Sequence, residues 1–159
     1  MVTAKNCFEK WGDPLTTFDE SGYMVMWDVP AELEVGVIPK KLYCNKELIG
    51  SLTQAIKNLI HRGFINELKT WDGCFNVRVQ RGYETTYKVL MDDGHVDLAL
   101  KYLSIHCWGI AIDLNAAWNQ LKMKPTLSPG FVQCFIDAGF DWGGNFGRLD
   151  GMHFQLAKI

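Results

Sequence analysis

Two short segments in the last third of the chain hold the residue types of a catalytic metal centre. Ser104 to Asp113 contains His106 and Asp113, and Asp150 to Phe154 contains Asp150 and His153. Two imidazoles and one carboxylate leave a coordination position open on zinc, as a catalytic zinc site requires. The spare carboxylate, Asp150, stands three residues before His153 in a Leu149-Asp150-Gly151 turn. Across a turn, that spacing brings a carboxylate beside a metal without ligating it. There it can take a proton from a metal-activated water and pass it to a leaving amine. Zinc lowers the pKa of its water to about 7, so little further basicity is needed.

The spacing also makes a demand. His106 lies seven positions before Asp113, and an odd spacing on one straight strand puts two residues on opposite faces. They converge only if the chain turns between them, at Cys107-Trp108-Gly109. A lone His beside a strand is more often structural than a ligand, so the case for His106 rests on the set. Gly109 and Ala111 share the face of Asp113. Two small residues leave room for a bulky group in front of the sheet, or for close packing against another backbone. The remaining histidines do not join the set. His61 ends a helix, where a cation suits the dipole, and His95 follows the turn Asp92-Asp93-Gly94.

Several elements must position these residues. Leu48, Ile49, Leu52, Ala55, Ile56, Leu59 and Ile60 recur at three- and four-residue spacing. They predict a helix over Asn45 to His61, capped by Asn45 and closed by Gly63. Phe75 to Gln80 alternates and predicts a half-buried strand. Val96 to Leu103 predicts a short helix, and Gly109 to Asp113 a strand. Ser128-Pro129 opens a helix through Phe131, Val132, Phe135 and Ile136, ended by Gly139. Met152, Phe154 and Leu156 alternate with His153 and Gln155 in a final strand, which puts the two imidazole-bearing segments on a shared polar face. The sum is α+β: helices packed on a small antiparallel sheet that carries the site.

The bulk numbers set limits. At 159 residues the chain fits a single domain, 1–159, with an irregular N-terminal wrap over about 1–43 and a core over about 44–159. A net charge of -2 advertises no broad basic surface, which leaves room for a local basic patch but argues against nucleic acid as the main partner. No apolar run approaches the ~20 residues of a membrane span. Lys5, Glu9, Lys10 and Asp13 interrupt any signal-peptide core, so synthesis and folding in a cytoplasm are expected. Cys7, Cys44, Cys74, Cys107 and Cys134 are odd in number and scattered, which argues against a disulfide framework or a thiolate zinc site.

At the metal-bearing segments the sequence resembles the M15 family of zinc peptidases, the D-alanyl-D-alanine carboxypeptidase and L-alanyl-D-glutamate endopeptidase group. The pattern Ser-x-His-x-x-Gly-x-Ala-x-Asp is met by Ser104, His106, Gly109, Ala111 and Asp113. Trp-Gly-Gly followed by Asp-x-x-His-Phe is met by Trp142, Gly143, Gly144, Asp150, His153 and Phe154. Gly73 to Arg78, with Arg81-Gly82, looks like the family's Gly-x-x-x-x-Arg segment. The resemblance implies a hedgehog/DD-peptidase-like fold and one Zn2+ per chain, held by His106, Asp113 and His153. It implies Asp150 as the catalytic acid/base. It implies that Arg78 binds a substrate carboxylate or the polarised carbonyl, which suits the guanidinium fork. Ser104 is similar to the motif serine, either a substrate or outer-sphere contact or a turn residue. Trp142 and Gln155 complete the implied substrate-binding set.

Two departures stand out. Tyr83 to Leu103 is longer than the corresponding family segment and suggests a lid, a recognition edge or a peripheral hairpin. Gln155 stands where many members have Glu, which keeps hydrogen bonding and loses a charge.

The resemblance implies a monomeric peptidoglycan peptidase acting on the stem peptide in the bacterial cell wall, like the phage endolysins of this family. The L-alanyl-D-glutamate bond is favoured over the terminal D-alanyl-D-alanine bond. The competing readings are a cysteine peptidase using Cys74 or Cys107 with His106, and a non-catalytic zinc- or wall-binding module. His and carboxylate ligands would also accept Mn, Co or Ni.

Overall fold

The computed structural model describes residues 1–16 and 20–159. Among these are two antiparallel sheets and five α-helices, the α+β arrangement that the patterning predicts. A two-stranded sheet pairs β1 (Met24–Asp28) with β2 (Lys41–Asn45). The site sheet has the order β3-β4-β6-β5, with β3 Trp71–Gly73, β4 Ala111–Leu114, β5 Phe140–Trp142 and β6 His153–Leu156.

The apolar repeat in the first half of the chain becomes α2 (Leu48–His61), which buries Leu48, Leu52, Ala55, Ile56 and Leu59. It begins three residues later than predicted. Asn45 is the last residue of β2, where its Oδ1 accepts from the Glu47 N–H and turns the chain into the helix. Its Nδ2 donates to the Trp108 carbonyl at 3.1 Å, so this fully buried amide ties the small sheet to the turn that carries His106.

The helix α5 (Pro129–Ile136) starts as Ser128-Pro129 predicts, with Ser128 Oγ accepting from the Phe131 N–H. The Glu67 carboxylate receives both the Ser128 N–H and its hydroxyl at 2.6 Å, which fixes where α5 begins. Phe131 and Phe135 then meet Phe140 and Phe154 from the sheet, the Phe135 and Phe154 rings being 4.4 Å apart. These four rings and Trp108 are the largest fully buried side chains of the core. Each such ring contributes about 2–3 kcal/mol by leaving water.

The N-terminal segment is more regular than the predicted wrap. Thr3 and Asn6 close a capping box that starts α1 (Ala4–Trp11). The Trp108 indole N–H donates to the Gly12 carbonyl, so α1 is pinned against the site's own turn. β2 runs across the predicted boundary near residue 43.

The predicted strand at Phe75–Gln80 does not form. Only Val79 bridges Leu103 there, while Asn76 N–H donates to the His106 carbonyl and Gln80 N–H to that of Tyr102. A regular ladder needs an extended partner, and residues 105–108 opposite take a helical turn instead. The long segment 83–103 is helical, not a hairpin: α3 (Glu84–Asp92), α4 (Val96–Ala99) and a 3-10 turn. Among the described residues no helix is long and apolar enough to cross a membrane.

Candidate metal centre

Strand register brings the first two groups together. β4 and β6 run antiparallel with Asp113 opposite His153 and Ala111 opposite Gln155. Directly opposed residues on one face have Cβ atoms about 5 Å apart, which suits two ligands of one ion. The small Ala111 leaves the neighbouring position to the Gln155 side chain.

The predicted turn brings the third. Residues Ile105–Trp108 make a 3-10 turn, with Ser104 Oγ accepting from the His106 N–H. Gly109 closes it in the left-handed region at φ 66. A Cβ there would lie 2.8 Å from the Met24 side chain and 2.9 Å from the Asn45 nitrogen, so both conformation and space require glycine. His106 then donates from Nδ1 to the Cys74 carbonyl at 2.7 Å, which leaves Nε2 facing the sheet.

The three groups converge. Asp113 Oδ1 is 3.1 Å from His106 Nε2 and 3.3 Å from His153 Nδ1, and those two nitrogens are 3.2 Å apart. The outer nitrogen of each ring already has an acceptor: Cys74 O for His106 and Gln155 Oε1 for His153. Two imidazole lone pairs and a carboxylate oxygen therefore share one small space, an arrangement that only a positive charge relieves. Without a metal, a proton does so. Burial disfavours a charged His106, but its hydrogen bond and charge attraction to Asp113 outweigh that and raise its pKa. Burial would likewise raise Asp113, yet the two imidazoles hold it well below the usual carboxylate range. A dication answers the same need more fully, and the donor set fits zinc.

Asp150 sits in the turn before β6. Its N–H donates to the Gly143 carbonyl, and its own carbonyl accepts the His153 N–H. A Cβ on Gly143 would lie 2.3 Å from the Asp150 carbonyl oxygen and 3.1 Å from His153 Cβ, so glycine lets this turn close onto the strand. The Asp150 Oδ1 atom is buried with no hydrogen-bond partner. Burial raises its pKa; the charges of His153, His106 and Arg148 oppose the rise, and that of Asp113 reinforces it. A desolvated, unpartnered carboxylate beside His153 is a candidate proton acceptor.

The remaining predicted residues divide. Arg78 is exposed, and no carboxylate pairs with it among the described residues; its carbonyl accepts from Cys107 Sγ, which places it beside the His106 turn. Ser104 is the cap of that turn, the second of its two sequence readings. Trp142 is partly buried, its indole N–H donates to the Gly151 carbonyl, and its ring lies where a Gly144 Cβ would be. It holds the Asp150 turn in place. Gln155, predicted as a substrate contact, is 3% exposed with both ends of its amide engaged by His153 and Val2. It stands behind His153, closed off from solvent. The shared polar face is likewise covered: β6 is buried along its whole length.

The cysteine alternative finds no support. Cys74 and Cys107 are buried, burial raises both thiol pKa values, and His106 contacts the Cys74 carbonyl, not its sulfur. Sequence reasoning missed that carbonyl and the role of Val2, since main-chain acceptors leave no residue-type signal. The Phe146 ring, 6.1 Å from His153, was also missed, although it follows the Trp-Gly-Gly motif by two residues.

Residues 99–156 match the M15 peptidase family model described as D-alanyl-D-alanine carboxypeptidase. Among solved structures the chain is similar to the crystal structure of Serratia marcescens L-Ala D-Glu endopeptidase ChiX. The two are 16% identical with a TM-score of 0.39, over 89% of this chain and 94% of that one. No curated protein matches the chain.

Proposed function

We propose that this chain, whose residues 99–156 match the M15 peptidase family model, is a zinc-dependent peptidoglycan peptidase that cleaves the L-alanyl-D-glutamate bond of the stem peptide. The observation that carries the reading is the convergence of His106 Nε2, Asp113 Oδ1 and His153 Nδ1 next to the unpartnered Asp150 Oδ1. Zinc bound to the three would polarise a water and the scissile carbonyl. Asp150 takes the proton from the attacking water and returns it to the departing amine. The Arg78 guanidinium would bind the oxyanion or a substrate carboxylate. A bare metal staple has no use for a desolvated carboxylate at this point, which favours an enzyme over a wall-binding module.

An endopeptidase needs chain on both sides of the cut. Arg78, Asn145 and Gly147 to Leu149 are all exposed, and the endopeptidase reading takes them as open ground for the chain around the cut. The competing product is terminal D-alanine, the activity in the description of the matching family. Digestion of purified sacculi with and without chelator, read by mass spectrometry, separates them. New L-alanine carboxyl ends that disappear with chelator are expected. Release of free D-alanine instead would move the reading to the carboxypeptidase, and chelator-insensitive digestion would end it. As an endolysin-type enzyme it would meet its substrate in the bacterial wall.

A further inference from the structure

We propose that Gln155 is a positioning residue for His153, and that it must be an amide because its far end anchors the N-terminal segment. Its consequence for metal affinity rests on the zinc reading above; its consequence for the imidazole does not. His153 Nε2 lies 3.1 Å from Gln155 Oε1, and Gln155 Nε2 donates to the Val2 carbonyl at 2.9 Å. The amide fits in one orientation only. A main-chain carbonyl accepts and never donates, so the group facing Val2 is the NH2 and the group facing the ring is the oxygen. That oxygen needs a donor, which assigns the neutral His153 proton to Nε2. Nδ1 keeps its lone pair and points at Asp113 Oδ1 and His106 Nε2. Packing holds the relay: Gln155 is 3% exposed, His153 8% and Val2 7%.

A glutamate at this position accepts from His153 equally well. Against Val2, however, it sets one acceptor beside another. Val2 directly precedes the Thr3–Asn6 capping box, so the start of α1 and the orientation of a metal ligand are joined through one side chain. The sequence departure at 155 thus has a physical counterpart in this chain, the Val2 carbonyl.

Three measurements test this, on the wild type, Gln155→Leu and Gln155→Glu. Imidazole nitrogen shifts of the metal-free protein, recorded above the imidazole titration range, report the His153 tautomer. Competition with a chromophoric chelator gives the zinc Kd. Amide hydrogen exchange follows residues 2–8. In the wild type the His153 proton should sit on Nε2; a proton on Nδ1 overturns the proposal whatever the variants do. Q155L should mix the tautomers and weaken zinc about 10–100-fold. An unchanged tautomer and Kd in a folded Q155L would show Gln155 to be packing only, and overturn it. Q155E should keep the tautomer, hold zinc within a few-fold and speed exchange at residues 2–8. Unchanged exchange in Q155E would overturn the amide requirement. If wild-type protein binds no zinc at all, the zinc reading fails while the tautomer spectra still decide the role of Gln155.

Discussion

Asp113 and His153 are direct partners across the β4–β6 ladder, with Asp113 Oδ1 3.3 Å from His153 Nδ1. Backbone pairing alone therefore presets two of the candidate ligands, and only His106 depends on a turn. This order predicts unequal losses. Asp113→Ala removes the shared oxygen that both imidazoles face. Its zinc affinity should fall by more than the roughly 10–100-fold typical of outer-sphere changes. Ser104→Ala loosens only the turn and should cost less than about 10-fold, as befits one lost capping bond of ~1 kcal/mol. Equilibrium dialysis with zinc compares the two; equal losses would contradict the order.

Asp150→Asn removes the proposed proton acceptor and leaves the three candidate ligands in place. The expected result is a fall in kcat of about 10²–10⁴-fold with zinc content unchanged by elemental analysis. Loss of zinc in this variant would make Asp150 a ligand or a structural residue, and not the acid/base.

Much of this was legible in the sequence, for reasons that differ by element. The repeat of α2 and the Ser128-Pro129 start of α5 are local signals, and both elements form where the pattern places them to within three residues. The turn at Cys107-Trp108-Gly109 follows from an odd spacing, and the structure supplies it with Gly109 at φ 66. Phe75–Gln80 misled because alternation records burial, and an extended segment laid beside a helical turn is buried alternately without a ladder. Gln155 misled because a buried amide and a substrate-facing amide look alike in sequence; only Val2, 153 positions away, distinguishes them.

Gly143→Ala tests the close approach of the Asp150 turn. The added Cβ meets the Asp150 carbonyl at 2.3 Å, a backbone atom that yields only by moving the turn. The expected cost is about 1–3 kcal/mol of stability, read by urea unfolding. Activity should fall further than zinc affinity, because the Cβ meets the Asp150 backbone at 2.3 Å and His153 Cβ only at 3.1 Å. Wild-type kinetics in this variant would mean that the turn adapts freely.

The five cysteines are all free and buried. Burial pushes Cys7 up to about 12 and Cys44 up to about 11, so little thiolate exists at neutral pH. Iodoacetamide should leave the native protein unmodified by intact mass and fully active, while a chelator abolishes activity. The opposite pair of results would revive the cysteine peptidase.

Stability of the metal-free protein should depend on pH with opposite signs at the two ends. Asp113 has a lowered folded pKa. Its contribution is complete above the unfolded value of about 3.9 and is lost as pH falls through the folded value. His106 has a raised folded pKa. Its contribution is complete below about 6.5 and is lost as pH rises through the folded value. Asp150, itself raised by burial, loses stability as pH climbs from about 3.9, so the measurement belongs in an Asp150→Asn background. The window ends near 8.5, where unfolded thiols ionise and the buried cysteines add a loss of the same sign. Between 6.5 and 8.5 the metal-free variant should therefore become easier to unfold in urea. With zinc the trend should reverse, because a dication binds the deprotonated ligands and its affinity rises with pH. A metal-free stability that stays flat across this window would show that His106 gains no proton from its contact with Asp113.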